Sequence, residues 1–463
     1  MSTGNKAQQV PETPETKGIG DRTFSQANEP WLGVLPADWT SSRIRNIAAL
    51  SPGYSDGAPL SDELCAVVPM EFVSADGKID GSSLQAFEDI SSGLTIFEAG
   101  DVLFAKITPC MENGKGAYVE NLPTRYAFGS TEFHVLRPNG FINPKFLYYY
   151  TFNPVFRAYA AENMSGAAGQ KRVSSRFLKD TRLFLPPRKE QERIAAFLDA
   201  SCAAIDAAVA VKERQMETLH LLRKSVIMNA VTKGLSHNEQ RDSGVEWFGK
   251  IPKHWKCRHL KRFTQRIQTG CTPPTDNPDY YMDGTIPWYA PGSYDGDIDL
   301  HEPRKLINEL ARHEGVLRIF TPLSVFLIGI GATIGKVGLI NTNASCNQQI
   351  IGIETNERLS GRYLAYQLKI YEDIIPNIAT ATTLPIFDQV KTGYLPTLQP
   401  PRKEQQTICD FLDKKLLEIK KITAGIENQI CTLIGFRKSL IHECVTGQRR
   451  ITESDLKKVK AYG

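Results

Sequence analysis

The sequence predicts an α+β molecule: two mixed α/β globular domains joined by two long antiparallel coiled-coil helices, with an internal pseudo-two-fold repeat. Three observations predict it. Residues 186–199 (PPRKEQERIAAFLD) recur as 400–413 (PPRKEQQTICDFLD) at an offset of 214 residues, and the register holds without a gap, with about 22 identities as far as Gly234. The openings of the two halves match as well, Trp31-Leu-Gly-Val-Leu-Pro36-x-x-Trp39 against Trp247-Phe-Gly-Lys-Ile-Pro252-x-x-Trp255. Between these anchors lie two stretches of about 155 residues, each the size of one domain, that share pattern more than residues.

The chain of 463 residues, 41% hydrophobic and 23% charged, has the balance of a multi-domain globular protein, which excludes fibrous and generally disordered classes. Residues 1–28 are polar and lack the apolar core of a signal peptide, so they read as a disordered extension. The first domain, 29–185, carries strand-like runs at 101–106 and 115–119 and closes on a helix-like segment, 144–161. A helix-bearing segment, 186–240, follows. The second domain, 241–399, repeats the scheme with strands at 324–330 and 336–340 and a closing helix at 360–375. A second helix segment, 400–450, leads to a C-terminal tail, 451–463. The most apolar stretch, 323–340, is interrupted by Gly329, Gly331, Gly335 and Lys336 and reads as no membrane span, which predicts a soluble cytoplasmic protein. Nine scattered cysteines without a C-x-x-C pair fit a reducing compartment and predict neither a disulfide framework nor a zinc site.

The repeated segments carry a heptad seam. Every seventh position reads Leu198, Ile205, Lys212, Leu219 and Val226 in the first copy and Leu412, Ile419, Ile426, Leu433 and Leu440 in the second. Each run spans about 37 residues without an internal proline, bounded by Pro-Pro upstream and by Gly234 or Gly447 downstream. Such helices either bury their seams in their own domains, enter an intermolecular coiled coil, or pair with each other. Repetition within one chain favours the last, in an antiparallel arrangement that spaces the two domains.

Enzymatic motifs fail on inspection. Gly331-x-x-x-Gly335-Lys336 is one residue short of a phosphate loop, and Val337 stands where Ser or Thr would hold Mg²⁺. No loop for S-adenosylmethionine and no histidine cluster is evident, so neither catalytic nor metal-ligating residues are assigned. The net charge of +4 is too small to announce a polyanion partner, but its distribution is uneven. Residues 250–266 hold seven Lys and Arg with no acid, interleaved with Trp255 and Phe263, and residues 170–182 hold five with only Asp180 opposing. One such cluster in each half suits paired phosphate-binding surfaces better than two solvated faces.

The order of variable domain, P-P-x-x-E-Q helix, variable domain and second such helix resembles the specificity subunit of type I restriction-modification enzymes. The paired L/I-P-x-x-W openings, Gly270-x-Thr272-Pro273, Ile286-Pro-Trp288, Gly331-Ala-Thr-Ile-Gly-Lys336 and the two P-P-R-K-E-Q helices carry the resemblance, from Trp31 to about Arg450. The first half departs from the pattern, with Met111-Glu-Asn-Gly-Lys115 in place of the Gly-Ala-x-Ile-Gly-Lys form. The resemblance implies a non-catalytic subunit whose two target-recognition domains each read half of a bipartite, asymmetric site in double-stranded DNA. It also implies helices that set the spacing and dock two modification (methyltransferase) subunits, joined by restriction (translocase and nuclease) subunits. The complex would methylate adenine N6 and cleave DNA with ATP. This chain would bind no cofactor, S-adenosylmethionine, ATP and Mg²⁺ belonging to the partners. DNA contacts are expected from Lys106, Lys115, Gln170, Lys171 and Arg172 in the first domain. In the second they are expected from Thr272, Thr275, Trp288, Lys336, Asn347, Gln348, Thr380 and Thr382. A complete single-chain methyltransferase or nuclease is the alternative enzyme reading, opposed by the missing cofactor loop. A coiled-coil adaptor without DNA contact would leave the paired basic clusters unexplained.

Overall fold

The computed structural model describes residues 24–26, 34–167, 169–379 and 385–462. It forms two compact units, one from 1–211 and 429–463, the other from 212–428. The duplication reappears in their topology. In unit 1 the main sheet consists of β1 (Ala48–Leu50), β2 (Val102–Ala105), β3 (Gly116–Tyr118) and β4 (Phe133–Pro138), antiparallel throughout in the order β1-β4-β2-β3. In unit 2 the strands β5 (Thr264–Thr269), β6 (Val325–Ile328), β7 (Val337–Leu339) and β8 (Ile350–Thr355) follow the same scheme, β5-β8-β6-β7. β2 and β6 are buried at every position, which explains why both read as unbroken apolar runs instead of alternating ones. A smaller sheet in each unit contains one parallel pair, Leu64–Val68 with Ala127–Gly129 and Ile286–Tyr289 with Ser345–Cys346.

The helices differ from expectation where proline or packing intervenes. The single helix expected at 144–161 is two, α1 (Pro144–Phe152) and α2 (Pro154–Glu162). Pro154 lacks an N–H to continue the first, and Asn153 caps the second by accepting from the Val155 N–H. The two long helices, α3 (Arg188–Lys233) and, further along the chain, α5 (Arg402–Val445), contain 46 and 44 residues, longer than the sequence suggested. Between them lies α4 (Gly361–Leu368), which stops short of the expected 375. Its first residue must be glycine, because a Cβ there would lie 1.9 Å from the Leu323 carbonyl oxygen. The stretch read as a C-terminal tail forms α6 (Glu453–Tyr462), begun by a reciprocal cap between Thr452 and Asp455. Ile451 is buried beside it, and Leu456 and Val459 pack on the unit 1 core. Of the extension read as disordered, Phe24–Gln26 pair with Val34–Pro36, while 1–23 and 27–33 lie outside the described residues.

All nine seam residues, Leu198, Ile205, Leu219, Val226, Leu412, Ile419, Ile426, Leu433 and Leu440, are buried or half-buried. Within unit 1 the early part of α3 packs with the late part of α5: Leu198, Cys202 and Ile205 share a core with Leu440, Ile441 and Cys444. Within unit 2 the late part of α3, Ile227 to Val231, shares a core with Ile408, Cys409 and Leu412 from the start of α5. The pairing is therefore antiparallel in each unit. α3 also contains an 18-residue window apolar enough to cross a membrane by length and composition, a stretch the sequence reading passed over. Its Ile194, Phe197, Leu198, Cys202 and Ile205 are buried in the unit 1 core.

The repeated residues turn out to be the fasteners between domain and helix. Gln191 and Gln405, both buried, each receive the N–H that begins the neighbouring segment, Asn143 at 2.7 Å and Ser360 at 2.8 Å. Their amides donate back to Pro186 and Phe141 in one unit and to Pro400 and Arg358 in the other. Asp199 accepts from Tyr149 and Lys145, as Asp413 does from Tyr366 and Arg362. Trp39 lies against Gly447 and Trp255 against Gly234, glycines in the left-handed region just past the ends of α5 and α3.

Candidate nucleic-acid interface

The chemistry expected of the domains gathers at one end of each main sheet, where the turn from a central strand to the edge strand beside it meets a loop from further along the chain. In unit 1 the turn 106–115 joins β2 to β3. Residues 169–172 are laid against it, Ile107 bridging Arg172 and Thr108 donating from both N–H and Oγ1 to the Lys171 carbonyl. Lys106, Gln170, Lys171 and Arg172 are thus brought together, with Gln170 and Lys171 exposed. Arg172 is less free than its neighbours: its guanidinium is bidentate on Glu132, at 3.0 Å from Nε and 2.8 Å from Nη2. That hydrogen bond holds the Glu132 carboxyl below the usual glutamate range. His134 behind it donates its Nε2–H to the Val173 carbonyl, 2.8 Å away, and burial pushes its pKa down. Lys115 spends Nζ on the Met70 carbonyl at 2.9 Å, so it fastens the turn as well as charging it.

Unit 2 builds the same corner. The turn 329–336 joins β6 to β7, and Gly331 and Phe387 donate their N–H groups to Pro385 and Gly329, stitching on the returning loop. Gly335 before Lys336 and Gly114 before Lys115 both have positive φ, +90° and +87°. The divergent Met111-Glu-Asn-Gly-Lys115 of the first half thus occupies the same turn as Gly331-Ala-Thr-Ile-Gly-Lys336, the correspondence that the sequence suggested. Lys336 is exposed, and Thr380 and Thr382 lie outside the described residues.

A second loop pair completes this corner. Gly270 and Cys271 donate to Ile350 and Cys346, and a Cβ on Gly270 would come within 2.0 Å of the Cys346 carbonyl oxygen. That contact explains the glycine of Gly270-x-Thr272-Pro273. It brings the Thr272 hydroxyl to 2.6 Å from the Gln348 Oε1, and both residues are exposed, as is Thr275. Two expected contact residues face inward. Trp288 is 7% exposed and donates its indole N–H to the Cys271 carbonyl, and Asn347 is 9% exposed with its amide on Gln349. They shape the loop and present no free surface, because each has spent its polar group inside the fold.

Sequence reading missed the edge of this sheet. β5 borders a cleft of about 640 Å³ lined by Gln265, Gln268, Thr269, Arg318 and Gln389. The polar run Thr-Gln-Arg-Ile-Gln-Thr in an edge strand was the available signal. Arg318 donates to the carbonyls of Thr269 and Gly270, which directs it along the cleft. Of the basic run 250–266, Lys250, Lys256, Arg258 and Arg262 are exposed, whereas Lys253 pairs with Glu239 and Arg266 pairs with Glu354 and stacks on Phe320. Trp255 and Phe263, interleaved with that run in sequence, are buried. No group of three or more His, Cys, Asp or Glu suited to a metal ion occurs among the described residues.

Residues 36–212 and 252–432 match the family described as the Type I restriction modification DNA specificity domain. The chain is 37% identical over 177 residues to the EcoAI specificity subunit of Escherichia coli and 32% identical over 163 residues to the EcoEI specificity subunit. These matches cover 37% and 35% of the chain but only 29% and 27% of those proteins. The putative MjaX specificity subunit of Methanocaldococcus jannaschii is 24% identical over 84% of this chain and 90% of its own. A chain solved in a study of complex assembly and conformational transition of the type I R-M system superposes with a TM-score of 0.72 at 18% identity, covering 90% of this chain and 99% of that one. The HsdS subunit of Thermoanaerobacter tengcongensis superposes with a TM-score of 0.51, covering 90% of this chain and 98% of its own at 18% identity.

Proposed function

The chain belongs to the family of type I restriction-modification DNA specificity subunits, and from that premise we propose that each unit reads one half of a bipartite, asymmetric site in double-stranded DNA. One observation carries the reading: the same sheet corner is built twice, on strands of matching order, but lined with different side chains. Matching frames give matching approaches to a duplex, and unlike side chains give unlike half-sites. Lys106, Lys115, Lys171 and Lys336 meet phosphates and set register, while Gln170, Thr272, Thr275 and Gln348, joined by Gln265, Gln268 and Gln389, read base edges in the major groove. Arg172, tied to Glu132, contributes its remaining donor edge. Thr380 and Thr382 belong to the same proposed surface.

The chain performs no chemistry itself in this reading. The two long helices space the half-sites and dock two modification subunits, with restriction subunits added to the assembly. S-adenosylmethionine, ATP and Mg²⁺ are bound by those partners, in the cytoplasm. Methylation mapping of the host genome with and without this gene tests the reading, and loss of methyl-adenine at one split motif is the expected result. Lys171→Ala and Lys336→Ala, assayed in the complex, should each weaken DNA binding and lower the salt slope by about one, since each removes one released counterion. An unchanged slope removes that lysine from the interface.

A further inference from the structure

We propose that Arg157, on α2, is a positioning residue that holds the turn 106–115 in its DNA-reading form, so that it governs recognition of the first half-site alone. The proposal rests on the reading above. Arg157 is 7% exposed, yet among the described residues no carboxylate forms an ion pair with its guanidinium. It is spent entirely on backbone. Nε donates to the Thr151 carbonyl at 2.9 Å, Nη1 to Met111 at 2.8 Å and Nη2 to Lys115 at 3.4 Å. Met111 and Lys115 stand at either end of the tight part of the turn, whose Gly114 N–H returns to the Met111 carbonyl. One planar cation therefore spans the base of the turn that carries Lys115 and ties it to the end of α1.

The guanidinium is itself pinned between aromatic faces, its carbon 4.8 Å from the Phe104 centroid and 4.9 Å from that of Phe152. Gly116 makes room for it, since a Cβ there would lie 3.2 Å from Nη2 and 2.6 Å from the Leu103 carbonyl oxygen. A buried cation without a counter-anion is a costly choice when a leucine or methionine would fill the space. Two things follow from it here. The turn is held through two of its carbonyls and tied to a third on α1, and a positive charge stands behind the loop that also presents Lys106 and Lys171.

Unit 2 solves the same problem with the opposite sign. Glu372 Oε1 accepts from the Val337 N–H, the residue after Lys336, at 3.1 Å, and Lys369 neutralises it at 2.7 Å. The two turns are thus gripped independently and by different chemistry, so a change at Arg157 leaves the second turn intact.

The test uses the full chain, isolated with its native partners, and a pool of random-sequence duplexes from which bound DNA is recovered and sequenced. Wild type should select a split motif. Arg157→Met should lose sequence preference in one half of that motif by tenfold or more and keep the other half. Arg157→Lys, which keeps the charge but not three fixed donors, should lie between the two. In parallel, backbone amide exchange at Gly114 and Lys115 should quicken in both variants, with Val337 unchanged. If wild type selects no split motif, the proposed function falls and this inference with it. If wild type selects one and both variants keep both halves, or lose both equally while amide exchange shows a folded chain, Arg157 is no positioning residue. Should Arg157→Met fail to fold, Arg157→Lys decides, since full preference in both halves overturns the assignment.

Discussion

The Glu132 and Arg172 pair shows how a single contact can decide which of several neighbouring cations is available. Lys171 and Arg172 are adjacent in sequence and both cationic, but one is exposed and the other is held in a bidentate hydrogen bond. Because the folded-state pKa of Glu132 is lowered, the pair contributes stability that is present above the ordinary glutamate value of about 4.3 and lost as pH falls through the lowered one. Residues 169–172 should therefore stay docked through neutral and mildly acidic pH and release only in stronger acid. Amide exchange at Ser165 and Arg172, whose N–H and carbonyl groups bond each other, measures this between pH 7 and 3. In Glu132→Gln the release should lose its pH dependence, and undocking already at pH 6 would refute the assignment. At this scale the sequence disclosed residue types well and freedom poorly. Lys106 and Lys171 come together within unit 1 and Thr272 and Gln348 within unit 2, whereas Trp288 and Asn347 turn inward, because whether a polar group is spent depends on contacts far away in the chain.

Each long helix begins on a glutamine that does more than its position in a P-P-R-K-E-Q string suggests. Gln405 makes four hydrogen bonds from a fully buried position, and those with Ser360 and Arg358 fix the start of α5 to the loop before α4. Truncation leaves the Ser360 N–H and two carbonyls without partners, so Gln405→Ala should cost about 2 to 4 kcal/mol. The exposed neighbour change Gln406→Ala should stay within about 0.5 kcal/mol. Denaturant unfolding of the two variants compares them directly, and equal losses would deny Gln405 its role. Element types were legible because period and punctuation announce them: the heptads gave the helices, and the apolar runs at 101–106 and 324–330 gave β2 and β6. Element ends were less so. Pro154 and Asn153 break a continuous apolar pattern by local chemistry, and α6 rests on a capping pair whose effect depends on the core it caps. The sheet order was not legible at all, since strand partners such as β1 and β4 lie more than 80 residues apart.

The duplication gives the whole molecule a testable arithmetic. Matched fasteners at Gln191 and Gln405, at Asp199 and Asp413, and at Trp39 and Trp255 seat each domain on its helices in the same way, so the helices between the fasteners carry the length that the proposed function assigns to spacing. The near-neutral total charge is compatible with this division, because the basic residues of the proposed reading surfaces are balanced by acids elsewhere in the chain. Removing residues 213–216 and 427–430, which correspond by the 214-residue offset, takes one matched turn from each helix. Four residues shorten a helix by about 6 Å and rotate it by roughly 40° relative to whole turns, a change that leaves the apolar stripe nearly in line. At about 3.4 Å per base-pair step that is close to two base pairs. Methylation mapping in cells carrying the shortened chain should find the same two half-sequences with a gap shorter by about two base pairs. An unchanged gap with retained methylation would mean that the helices do not set the spacing, and the ruler role would then have to pass to the domains.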